Sequence, residues 1–139
     1  MGRSSTRRAV GVEKGGYMKR NWDTIREILT MLEERDEPVR LMDFPHERSA
    51  EISYNVEIML EAGLVVGQIS KTLGLGAKEF VLFRLTWDGH EFLDTIRSDT
   101  VWQKTKKSFV SNGLSMPFDL IKSVATDVTA TLIKSTLGA

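Results

Sequence analysis

The sequence predicts an α+β domain in which helices gather around a small antiparallel hairpin, and three stretches predict it. Ile52, Val56, Met59 and Leu60 recur at helical spacing, so the segment ending at Glu61-Ala62-Gly63 reads as a helix with one apolar face. Gly63 stands where that helix needs a left-handed residue, a conformation only glycine reaches at no steric cost. Val65–Ser70 and Phe80–Thr86 are apolar runs on either side of the glycine-bearing stretch Leu73–Ala77. They read as a hairpin whose loop is longer than a tight two-residue turn.

The remaining elements follow in chain order. Residues 1–17 are rich in Gly, Ser and Arg and lack an apolar period, so they are expected to be disordered. A basic arm touching DNA is the alternative, and Lys14-Gly15-Gly16, which a ribosome-binding-like stretch can encode, makes Met18 the expected start of translation. From Asn21, the expected N-cap, Trp22, Ile25, Ile28, Leu29 and Leu32 fall on one helical face, and Glu37-Pro38 ends that helix. Val39–Phe44, with a proline at each end, reads as a short strand. His46 to Ala62 then has room for one helix, or one short turn and a helix.

After the hairpin, Thr86 is the expected cap of a helix with Phe92, Leu93 and Ile96 on its buried edge. Thr100-Val101-Trp102-Gln103 has the form of a capping box, and Ser111-Asn112-Gly113 stops the helix it opens. Pro117 suits a first helical position. Behind it, Phe118, Ile121, Val124, Ala125, Val128 and Leu132 form one apolar stripe. That stripe either folds back onto the domain or pairs two copies through residues 117–132 as a homodimer, and both readings stay open. The resulting organisation is a tail (1–17), a domain over 18–98 with the outline of a winged helix, and C-terminal helices over 99–139.

Composition bounds the function. The 139 residues hold no cysteine, which excludes disulfides and thiolate metal sites. No apolar run reaches the length of a membrane span and no leader-like segment opens the chain, so the expected location is the cytoplasm, with no membrane partner. Basic and acidic residues number nineteen each; removing Arg3, Arg7, Arg8, Lys14 and Glu13 leaves 15 against 18, about −3 from Met18 onward. A nucleic-acid binder usually shows the opposite bias.

Three boxes carry a resemblance. They are Met18-Lys19-Arg20-Asn21-Trp22-Asp23-Thr24-Ile25-Arg26, Glu51-Ile52-Ser53-Tyr54-Asn55-Val56 running to Leu60-Glu61-Ala62-Gly63-Leu64, and Arg84-Leu85-Thr86-Trp87-Asp88-Gly89-His90-Glu91-Phe92-Leu93-Asp94. From Met18 onward the chain resembles the small bacterial and prophage family catalogued as domain of unknown function 2513. The resemblance implies a winged-helix-like outline and brings no activity, cofactor or catalytic residue with it. Asn55 departs from the histidine the resemblance leads one to expect.

Candidate chemistry is sparse. Asp88, His90, Glu91 and Asp94 are the one dense ionisable cluster, with Asp43, His46 and Glu47 as the other donor group, and both read better as solvated surface than as a metal or proton site. Gly74-Leu75-Gly76 lacks the lysine and the helix start of a phosphate loop, so it reads as the tip of a wing. Trp22, Trp87 and Trp102 read as core anchors. No enzyme and no cofactor is expected. The residues placed for contact with double-stranded DNA or a protein partner are Arg48, Ser49, Ser53, Tyr54, Asn55, Lys71 and Lys78. The acidic Glu51, Glu57 and Glu61 on the same helix oppose phosphate. The sequence thus leaves a DNA-associated regulator and a protein-binding adaptor side by side, with the regulator narrowly ahead on its outline.

Overall fold

The computed structural model describes residues 18–71 and 76–138. The readings of residues 1–17 as disordered and of Gly74-Leu75 as a wing tip lie outside the described residues. Contacts divide the chain into two compact units, one ending at Thr86 and the other beginning at Trp87.

In the first unit α1 spans Trp22–Glu34. Asn21 caps it, its Oδ1 accepting the Thr24 N–H at 3.2 Å. Ile25, Ile28, Leu29 and Leu32 are buried as the spacing predicts, whereas Trp22 is only half-buried and Thr24 is buried. Strand β1 is two residues long, Val39–Arg40, and Leu41–Asp43 turn into a 3-10 coil in place of the longer strand expected. The cause is Asp43, whose Oδ2 accepts from the Arg35 guanidinium at 2.9 Å and from the Arg40 N–H at 2.8 Å, closing the turn. These two bonds, Arg35 first, hold the Asp43 carboxyl below the usual carboxylate range.

A second 3-10 turn, His46–Arg48, runs straight into α2, Ser49–Glu61. Gly63 then takes φ +74°, the left-handed exit read from the sequence, and the Leu64 N–H bonds back to the Met59 carbonyl at 3.0 Å. Strands β2 (Val65–Ile69) and β3 (Phe80–Leu85) pair antiparallel, and β1 pairs with the other edge of β3, giving the order β1-β3-β2. Val39, Val65, Phe80, Leu82 and Leu85 are buried; α1 packs on β3 and α2 on β2. Alternation along the strands turns Arg40, Gln68 and Val81, which share one row of the register, toward the opposite face.

The register breaks once. Gly67 faces Leu82 and Val66 faces Arg84, so Phe83 has no partner and bulges outward. The bulge reverses the parity of β3, and Leu85 rather than Arg84 therefore returns to the core side beside Phe80 and Leu82.

The second unit is helical. Its α3 spans Trp87–Ile96 and buries Phe92, Leu93 and Ile96, as the sequence predicts. The next helix, α4, spans Asp99–Val110, and its cap is Ser98, not Thr100: Ser98 Oγ accepts the Val101 N–H at 3.2 Å, two residues ahead of the expected box. Gly113, at φ +64°, ends it. Helix α5 spans Phe118–Thr136, with Pro117 at the cap one position before the site expected for it. Ile121 and Ala125 are buried, α5 packs on α3 and α4, and the Phe118 ring lies 4.8 Å from that of Phe92. The apolar stripe therefore divides. Its first half folds back, while Val124, Val128 and Leu132 are only half-buried. Among the described residues no helix is long and apolar enough to cross a membrane.

Candidate functional site

Helix α2 carries most of the residues the sequence singles out, and α1 lies against it in the opposite direction. Three polar contacts step along that seam. Asn55 Oδ1 accepts the Asn21 N–H at 2.9 Å, the Thr24 hydroxyl donates to Glu51 Oε2, and Arg48 grips Glu27. The grip is bidentate, Nη1 to Oε2 at 3.0 Å and Nη2 to Oε1 at 2.9 Å, and Arg48 Nε also donates to Glu51 Oε1 at 3.2 Å. Bonding to Glu27, and then to Glu51, pushes the Arg48 guanidinium above its ordinary value. Arg48 is thus a clamp between two helices.

Asn55 and Ser53 are both buried, and each has internal work. Asn55 Nδ2 donates to the Glu51 carbonyl at 2.9 Å while its oxygen holds the start of α1. Ser53 Oγ accepts the Lys78 N–H at 3.1 Å and so ties the segment entering β3 to α2. The Lys78 ammonium sits 3.3 Å from both carboxylate oxygens of Glu57. Ser49, the first residue of α2, and Tyr54 are half-buried, and Lys71 is exposed beside the undescribed residues 72–75. The structure brings Ser53 and Lys78 together, spends Arg48 and Asn55 on the α1 seam, and leaves Lys71 apart.

The outer face of the sheet carries residues that the sequence alone does not single out. Arg40, Met42, Gln68, Glu79 and Val81 line a shallow groove there of about 470 Å³. Met42 is 82% exposed and Phe83, on its bulge, 52%. A signal for the bulge is present in the sequence. Strict alternation from Phe80 and Leu82 puts Arg84 inside and Leu85 outside, and only one extra residue between them repairs the pattern.

The acidic cluster on α3 is surface. Asp88, His90, Glu91 and Asp94 are exposed, and Asp94 pairs with Arg97 at 2.7 Å. In the other donor group Asp43 is held by Arg35. No group of three or more His, Asp or Glu among the described residues is placed to hold a metal ion. Of the tryptophans, Trp102 is a core anchor, as read from the sequence; Trp87 is 77% exposed and is not, because it stands at the first, outward-facing position of α3.

Comparison with known proteins adds a family and no chemistry. The family model described as "Hypothetical protein (DUF2513)" matches residues 19–115. An "Uncharacterized protein" of Haemophilus influenzae (strain ATCC 51907 / DSM 11121 / KW20 / Rd) is 36% identical over 119 residues, which is 84% of this chain and 99% of that protein. No solved structure matches the chain. With most of its length under the family model and a relative aligned nearly end to end, the chain belongs to the DUF2513 family.

Proposed function

We propose that the chain is a protein-binding module without catalysis, built on a winged-helix-like scaffold and working through the outer face of its sheet. The observation that carries this reading is the exposure of Met42 and Phe83 beside a groove bounded by Arg40 and Glu79. Met, aromatic and Arg side chains are enriched at protein interfaces, and a rim with one charge of each sign suits a polypeptide better than a polyanion. The basic residues of the α2 side favour the same choice. Arg48 and Lys78 are already paired with Glu27, Glu51 and Glu57, so an approaching phosphate must compete with those carboxylates. The scaffold itself decides nothing, because one fold hosts many functions.

The competing reading is a DNA-associated regulator that uses the β2–β3 hairpin as a wing, and Lys71 is the exposed base it retains. A labelled duplex titrated with the full chain at low and at physiological salt separates the two. The expected result is no saturable binding at either salt, and no difference for Lys71→Glu/Lys78→Glu. Saturable low-salt binding, with a salt slope shallower by about one unit per lost contact in the double variant, overturns the protein-binding reading.

A further inference from the structure

The groove between α4 and α5 carries two opposite charges that nothing in the second unit uses. Lys104 and Ser108 form its α4 wall, Val124, Val128 and Leu132 its apolar floor, and Asp127 stands on the α5 side, around a volume of about 330 Å³. Among the described residues neither the Lys104 ammonium nor the Asp127 carboxylate has an ion-pair partner, although other lysines of this unit are engaged. Lys106 lies over the Trp102 ring at 5.4 Å, and Lys122 lies over Phe118 at 4.4 Å while facing Asp119 at 3.7 Å. Helical spacing from the buried Ile121 and Ala125 turns Val128 and Val124 toward the groove and sets Asp127 on the rim away from α4. The exposed Leu120 lies one turn before Val124 on the same flank and lengthens the apolar strip.

We infer that this groove is where two copies of the chain pair, their α5 helices side by side and parallel about a two-fold axis running along them. The charges select both the occupant and the direction. An axis along α5 brings the α4 rim of each copy against the far rim of its mate, so each Lys104 meets the other copy's Asp127 and the symmetry makes both pairs at once. A two-fold axis across α5 would instead set Lys104 against Lys104 and Asp127 against Asp127. The apolar strip then buries against its own copy, which is the self-complementary contact a two-fold requires.

Light scattering and sedimentation of the full chain test this. The wild type is expected at twice the 15.7 kDa chain mass at high concentration. Lys104→Glu alone and Asp127→Lys alone should each weaken pairing by about tenfold or more, through like charges brought face to face. Two results distinguish charge pairing from general damage. An equimolar mixture of the two single variants should form a mixed dimer, and Lys104→Glu/Asp127→Lys should pair with itself. A monomer at every concentration overturns the inference and leaves the groove to another partner. Single variants that dimerise like wild type, or a double variant that stays monomeric, overturn it as well.

Discussion

Gly67→Ala should destabilise the first unit by about 3 kcal/mol, as a small addition to a site with no room for it. A β-carbon at Gly67 would stand 2.3 Å from the Val81 carbonyl oxygen and 2.9 Å from the Leu82 Cα. Both are backbone atoms of the neighbouring strand, so no rotamer change relieves the clash, and the strands must separate at the bulge that aims Phe83 outward. Gly63 is the control. Its φ is +74° but nothing lies within 4 Å of the built atom, so Gly63→Ala meets only the left-handed penalty, about 1–2 kcal/mol. Urea unfolding of both variants measures the pair. A Gly67→Ala midpoint at or above that of Gly63→Ala would show that the strands are not in the register described.

Met59→Ala should cost about 2–5 kcal/mol and Leu60→Ala clearly less. Met59 is 1% exposed, whereas Leu60 is half-buried. Helical spacing places both on the apolar face of α2, but Leu60 is the penultimate residue of the helix and keeps part of its surface in solvent. Equal losses in melting temperature for the two variants would contradict this orientation of the helix.

The same residues show what is legible in the sequence and what is not. Local signals read well. The Asn21 cap, the Gly63 exit, the hairpin strands, the Gly113 stop and the amphipathic α5 each depend on residues a few positions apart, and each is found where the spacing puts it or within a residue or two. Long-range polar partners were not legible. Asn55 looks like a base-reading side chain until the Asn21 N–H, 34 residues away, is seen to need it. Ser53 is similarly taken by the Lys78 N–H, 25 residues on, and Arg48 by Glu27, 21 residues back. A buried polar group must find a partner, but the sequence does not say which one. Two hydroxyls within three residues, Ser98 and Thr100, compete for one cap, and the Gln three residues after Thr100, where Ser98 has Val101, favours the wrong one. Strand β1 is two residues long, too short for any period to announce its end.

The polar side of α2 ties that helix to α1 and to the segment entering β3, and Arg48 is its clearest instance. A double-mutant cycle of Arg48→Ala and Glu27→Ala, followed by urea unfolding, measures their coupling separately from the bond Arg48 makes to Glu51. Both side chains are roughly a third exposed, which screens the pair, while the bidentate geometry raises it toward the top of the surface range. The predicted coupling is about 1 kcal/mol in favour of the native pair. A coupling indistinguishable from zero would mean that Arg48 is not committed to α1, and would return it to the surface as a residue free to meet phosphate.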